Sequence, residues 1–313
     1  MYEAFAGLFA GADITVWTTM FTVWAFVAAC TVVGYSLPAL RGERGRSTRQ
    51  AITTWWPVTI VGALGCLCGP LASVVVLTLV GIVVARESLL LLTEPSRERP
   101  LHLLLVIAAV VAGTVVAVLD RSVDLVVVPL LVVVPALQLW RGGTASFAKQ
   151  TLAVVQAGVV GGVLWSYVAR LVFHGPGPHA GQGAITVFFV LVMMADAMQY
   201  VAGKLFGRTP LAPKTSPKKT VEGLVGGMVI VSAIGAFLVP HLLHRSLLEG
   251  AVVGAVVVVV GLVGDLVMSA YKRDAGRKDS SALLPGQGGA LDRCDSIVMC
   301  APLYWAWLTS TTP

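Results

Sequence analysis

The chain has 313 residues, 57% of them hydrophobic and 12% charged, with a mean hydropathy of +0.85, a net charge of +6 and a pI near 9.2. A soluble domain carries about 25% charged residues, so a soluble fold is excluded, and the basic balance reads as the Lys and Arg excess of cytoplasmic loops rather than a nucleic-acid footprint. The five cysteines (Cys30, Cys66, Cys68, Cys294 and Cys300) are an odd number with the first three in apolar runs, which suits reduced, packed thiols and no disulfide framework.

Residues 1–13 carry Glu3 and Asp13 but no Lys or Arg, so no cleavable signal peptide is expected. Long apolar runs then recur and predict spanning helices at 14–38, 55–69, 71–86, 101–119, 123–140, 150–173, 184–203, 222–243, 247–270 and 296–310. Gly69-Pro70 reads as a turn, because a single helix over 55–86 would overshoot an apolar core of roughly 30 Å at about 1.5 Å per residue. The loop 41–50 has Arg41, Arg44, Arg46 and Arg49 against one Glu, and segments 203–223 and 271–295 are also basic. All three should share the cytoplasmic side, whereas the loop 174–183 has no Lys or Arg and suits the outside. Ten spans with both termini outside satisfy these constraints, and treating 55–86 as one crossing would break the parity. The expected fold is an all-α polytopic membrane protein of nine to ten transmembrane helices. An N-terminal span and basic loop (1–54) precede a transmembrane bundle (55–183), and a C-terminal region (184–313) follows.

Segments 196–222 and 265–295 hold 17 of the 38 Asp, Glu, Lys and Arg residues, and none follows Asp295. Function should therefore reside there. Asp196, Gln199, Tyr200 and Gly203 are spaced i, i+3, i+4, i+7 on one helix face. A carboxylate within an apolar span costs about 2.5–3.5 kcal/mol on insertion. Asp196 should thus face the bundle interior, either to hold a metal or to make a structural hydrogen bond to a neighbouring helix.

Next, Lys214-Thr-Ser-Pro-Lys-Lys-Thr220 precedes Glu222 and a Gly-rich apolar run. Ser216-Pro217 reads as an N-cap and first helical residue, with Lys218 and Lys219 in the first turn. Such a start suits an anion, and the same lysines equally suit anchoring to anionic headgroups.

Residues 264–295 read GDLVMSAYKRDAGRKDSSALLPGQGGALDRCD. Asp265, Ser269 and Lys272 form a polar stripe at i, i+4, i+7. Pro285-Gly286 and Gly288-Gly289 make a tight loop whose amides can approach phosphate. Asp292 and Asp295, at the mouth of the last span, are close enough to share a cation, and hard oxygen ligands beside phosphate favour Mg²⁺. Carboxylates for a metal, cations for phosphates and a glycine loop are the equipment of phosphoryl or nucleotidyl transfer. A transporter could also use intramembrane charge, but no inverted repeat is detectable.

These residues resemble the phosphatidate cytidylyltransferase (CDP-diacylglycerol synthase) family. Its C-terminal motif is matched by Ser269, Lys272, Arg273, Lys278, Asp279, Pro285, Gly286, Gly288, Gly289, Asp292, Arg293 and Asp295. Its upstream motif is matched by Ala195-Asp196, Tyr200, Gly203-Lys-Leu-Phe-Gly207, Leu211-Ala-Pro-Lys214 and Ser216-Pro-Lys-Lys-Thr220. Gln287 stands where the family usually has His. Its amide can hydrogen-bond phosphate but cannot titrate near neutral pH. Position 197 is Ala in place of a small hydroxyl residue, and Gln199 replaces a small residue.

The resemblance implies transfer of CMP from CTP to phosphatidate or a related lipid phosphate, at the cytoplasmic face of a bacterial-type inner membrane. It implies Mg²⁺ on Asp196, Asp265, Asp292 and Asp295. Catalytic roles fall to Asp265, Ser269, Lys272, Arg273, Asp292 and Arg293. Substrate contacts fall to Ser216, Lys218, Lys219, Lys278, Gly286, Gln287, Gly288 and Gly289. CTP, the lipid phosphate and membrane lipids are the implied partners, a homodimer is a family-level expectation, and no nucleic acid is implied. A CTP-dependent lipid or polyprenol kinase and a non-catalytic transporter or scaffold are the alternatives.

Overall fold

The computed structural model describes residues 70–93, 98–142, 146–175, 181–284 and 288–310, with a few isolated positions between 21 and 60. The expected spans 14–38 and 55–69, the loop 41–50, and Gly286 and Gln287 therefore lie outside the described residues, apart from those few positions.

The protein is an all-α polytopic membrane protein. In chain order the helices are α1 (Pro70–Leu92), α2 (Arg99–Val118), α3 (Asp124–Gly142) and α4 (Phe147–Gly158). A π-helical turn (Val159–Leu164) carries α4 into α5 (Trp165–His174). Then come α6 (Gln182–Phe206), α7 (Val221–Leu243), α8 (Leu247–Asp274) and α9 (Leu291–Ser310), with strands β1 (Pro210–Ala212) and β2 (Ser216–Thr220) between α6 and α7. Among the described residues, seven helices are long and apolar enough to cross a membrane, one of them the continuous segment Phe147–His174. Helix α9 is 20 residues long but opens with Asp292, Arg293 and Asp295, and is less apolar.

Two boundaries moved in ways that matter for the site. The span expected at 71–86 continues to Leu92, because Arg86-Glu87-Ser88 is followed by four leucines that stay in register with the core, so Glu87 is buried inside α1. The last helix begins at Leu291, not 296, which puts Asp292 and Asp295 in its first two turns.

The expected helix start at Ser216-Pro217 is incorrect. Ser216–Thr220 is a strand, antiparallel to β1 with Pro210 opposite Thr220 and Ala212 opposite Ser216. Proline is tolerated there because a two-stranded ribbon is all edge. The N-cap is Thr220, whose Oγ1 accepts from the Gly223 amide at 3.1 Å. Glu222 turns back to accept from the Arg208 and Thr209 amides at 3.0 and 3.1 Å, tying the hairpin to the start of α7. Lys218 and Lys219 thus lie on a strand and not in a helical first turn.

Two apolar clusters hold the helices together. One joins α1 to α4, with Val106, Val110, Leu130, Val154 and Ala157 buried among them. The other runs from α1 and α5 through α6–α9, centred on Leu171, Ile185, Phe188, Val298 and Tyr304. Within the first cluster the π-helical turn meets α2 so closely that a side chain at Gly113 would collide with the Gly162 carbonyl. Val225, Val229, Phe237 and Val252 are more than half exposed, as expected of helix faces that meet acyl chains.

Polar contacts mark the two ends of the bundle. At one end Arg170 Nη1 donates to Asp120 Oδ1 at 2.7 Å, His174 to the Ala117 carbonyl at 2.9 Å, and Arg245 to the Leu308 carbonyl at 2.8 Å. At the other end the hairpin, the end of α8 and the start of α9 come together, and Arg277 reaches the Leu90 carbonyl of α1.

Candidate active site

Asp196 lies ten residues before the end of α6 and Asp265 nine before the end of α8, so each is about 14–15 Å inside its helix at 1.5 Å per residue. The two helices bring them to matching depth. Small residues make that possible: Gly203 and Gly223 sit where α6 and α7 touch Thr220, and Gly261 and Gly264 face α9.

Lys219 is the link. Its position on β2 carries Nζ to 2.9 Å from Asp265 Oδ2. Burial pulls this ammonium toward neutrality, but the carboxylates of Asp265, Asp196 and Asp295 outweigh it and hold its pKa above the ordinary lysine value. Ser269 Oγ, one turn along α8, donates to Asp265 Oδ1 at 3.3 Å. Ser296 Oγ lies 3.3 Å from each Asp196 oxygen, so Asp196 has the interhelical partner that its position required. The Ser296 amide in turn donates to Asp295 Oδ1 at 2.8 Å. Arg293, also on α9, is exposed.

A second layer surrounds Asp292. Lys272 Nζ donates to its Oδ1 at 2.6 Å, and both groups are buried. Its Oδ2 accepts from the Ser280 amide at 2.8 Å, from Ser280 Oγ at 2.9 Å and from the Gly289 amide at 2.8 Å. Gly288 adopts a left-handed φ of +85°, which favours glycine, and its carbonyl accepts from the Leu284 amide at 2.7 Å to close the loop. A side chain at Gly289 would collide with Ser280 Oγ and Glu87 Oε2.

The structure thus brings together Asp196, Lys219, Asp265, Ser269, Lys272, Gly288, Gly289, Asp292 and Asp295. Lys218, Arg273, Lys278 and Arg293 stand exposed around the same end, and Ser216 is half-buried on β2. Tyr200, from the α6 face, points outward, 66% exposed, with Lys204 over its ring. Three residues escaped sequence reasoning: Glu87, Ser280 and Ser281. The signal for Glu87 was a lone acid followed by an unbroken leucine run. The two serines sit inside the recognised motif but outside its matched positions.

As they stand, no three His, Cys, Asp or Glu side chains among the described residues are gathered into a metal-binding group. The donors are nevertheless the hard oxygens a divalent cation takes: Asp265 beside Lys219, Asp196 against Ser296, and Asp295 on the Ser296 amide. Asp292 fits less directly, because Lys272, two amides and the Ser280 hydroxyl already crowd its oxygens, more partners than the other three carboxylates have.

A family model described as the cytidylyltransferase family matches residues 48–311. The phosphatidate cytidylyltransferase of Haemophilus influenzae is 37% identical over 164 residues, covering 50% of this chain and 54% of that protein. The Synechocystis enzyme of the same name is 44% identical over 128 residues, 40% of this chain and 43% of the relative. The uncharacterized protein YnbB of Escherichia coli K12 is 42% identical over 128 residues, again 40% and 43%. The chain spans about half the length of the relatives it matches.

Proposed function

The chain belongs to the cytidylyltransferase family, and from that premise we propose that it transfers CMP from CTP to phosphatidate or a related lipid phosphate, giving CDP-diacylglycerol and pyrophosphate. Two of the similar proteins carry the name phosphatidate cytidylyltransferase. The observation that carries the reading is the meeting of four carboxylates, Asp196, Asp265, Asp292 and Asp295, with Lys219 and Lys272, drawn from α6, β2, α8 and α9, at one end of a lipid-embedded bundle.

In the transfer, an oxygen of the lipid phosphate attacks the α-phosphorus of CTP. A new P–O bond forms as the bond to the bridging oxygen of the β-phosphate breaks, and pyrophosphate leaves with that electron pair. A phosphate monoester is already anionic, so catalysis reduces to positioning and neutralising charge. Lys219 and Lys272 are placed to grip phosphate oxygens, and Ser269 to orient them. Lys218, Arg273, Lys278 and Arg293 draw the triphosphate to the same end, beside Ser216 and Gly288. Asp196, Asp265 and Asp295 would hold Mg²⁺, which when bound offsets the charge of the triphosphate. Asp292 could join that set only by releasing Lys272. A small apolar cleft of about 70 Å³ lies between α8 and α9, lined by Val256, Val260, Cys300 and Leu303. The basic end faces the cytoplasm in this reading.

Purified protein in lipid nanodiscs, given CTP and phosphatidate, should release one pyrophosphate per CDP-lipid formed. Release of CDP with a phosphorylated alcohol would make it a lipid kinase, and no turnover of CTP would leave a transporter or scaffold.

A further inference from the structure

Glu87 belongs to α1, in the half of the chain where the motif resemblance is faint, and it is only 3% exposed. Its carboxylate accepts from Ser281 Oγ at 2.7 Å, from Ser280 Oγ at 3.0 Å and from the Leu291 amide at 2.9 Å. All three donors come from one stretch roughly two hundred residues away, and they bracket the loop that holds Gly288 and Gly289. A carboxylate serving only helix packing would bond to a neighbouring helix within the bundle. This one grips one end of a loop through Ser280 and Ser281 and the other through the first amide of α9.

From there the contacts continue inward. Ser280 gives Asp292 its amide and shares its hydroxyl proton between Asp292 and Glu87, Gly289 adds a second amide, and Asp292 holds Lys272. The Ser280 hydroxyl has one proton and lies within reach of two carboxylates, so it couples Glu87 directly to Asp292. Arg277, bonded to the Leu90 carbonyl one turn beyond Glu87, fastens the other side of the same segment to α1.

We propose that Glu87 is a positioning residue for the transfer: it latches Ser280, Ser281 and Leu291 to the N-terminal bundle and, through Ser280 and Asp292, sets the place of Lys272. This role rests on the cytidylyl-transfer reading. The latch itself rests only on the contacts above.

The test is Glu87→Gln in the full chain, purified in nanodiscs. The amide keeps the size of the side chain but turns one acceptor into a donor, which cannot accept from the Leu291 amide or a serine hydroxyl. Hydrogen exchange across 280–291 should quicken by at least tenfold while α7 and α8 keep wild-type protection. The apparent KM for CTP should rise about tenfold with kcat nearly unchanged, the scale of losing an outer contact that orients a binding group. A merely structural role would lower kcat in proportion to folded protein and leave KM alone, and that result would overturn the proposal. Unchanged exchange in 280–291 would overturn it too. Ser281→Ala, which removes the contact to Oε1 together with the acceptor of the Leu283 amide, should show the same rise in KM more weakly and the same quickened exchange at 288–291, and it keeps the test open if Glu87→Gln does not fold. Should the wild type form no CDP-lipid, the transfer reading fails, and the exchange experiment still decides the latch.

Discussion

In helices α1–α5 the buried polar groups, Glu87 excepted, pair within their own half: His102 with Gln138, Ser88 with Gln156, Arg170 with Asp120, and the Trp165 indole with the Leu77 carbonyl. In α6–α9 and the hairpin they converge instead, with Asp196, Lys219, Asp265, Lys272, Asp292 and Asp295 meeting at one end. Both halves are almost equally apolar, and both bear the cost of placing polar atoms in a span. They differ in what is left over. A closed pair such as His102–Gln138 uses a donor and an acceptor once and fixes two helices. The convergent set gathers more charges than it can pair one to one, so anionic substrates and a cation can complete it. Intramembrane polarity therefore points to function when it converges and to architecture when it closes.

Substitutions in the two halves should fail differently. The largest effect is expected for Lys272→Met, which leaves the buried Asp292 carboxylate without its counter-charge. Turnover per folded molecule should fall at least about 100-fold, the scale of losing one preorganised charge at a transition state, and the melting midpoint should drop as well. Gly113→Ala should do the reverse. The added methyl meets the Gly162 carbonyl, and overpacking of this kind costs about 1–3 kcal/mol. Thermal unfolding in detergent should show that loss, while CDP-lipid formation per folded molecule stays at the wild-type level. A Gly113→Ala protein that folds normally but cannot turn over would erase the distinction between the halves.

Much of this was legible in the sequence, and particular residues show where legibility ended. The described spans could be read because runs of uncharged residues 20 or so long have few alternatives. The stripe Asp265, Ser269, Lys272 could be read because helical periodicity places i, i+4 and i+7 together, and Ser269 does reach Asp265. The hairpin could not. Ser216-Pro217 and Thr220 are both competent helix starts, and the choice is made by pairing with Pro210–Ala212, a contact that no local pattern encodes. Lys219 reaches Asp265 only because of that choice. Glu87 was hidden for the opposite reason: a charge near the expected end of a span reads as a boundary, and its partners lie in a loop far along the chain. Asp292 shows a third kind of limit. Its i, i+3 spacing to Asp295 suggested a shared cation, but helical neighbours can face different partners, and Asp292 faces Lys272 while Asp295 lies toward Asp196 and Asp265.

The central claim is that the convergent charges of α6–α9 perform cytidylyl transfer, and Asp265, which joins Lys219 to Ser269, tests it most directly. Labelled CMP incorporation into phosphatidate should be measured for wild type and Asp265→Asn at equal amounts of folded protein with Mg²⁺. The account predicts robust incorporation by the wild type and a loss of at least about 100-fold in the variant. Incorporation by Asp265→Asn close to the wild-type rate would contradict it.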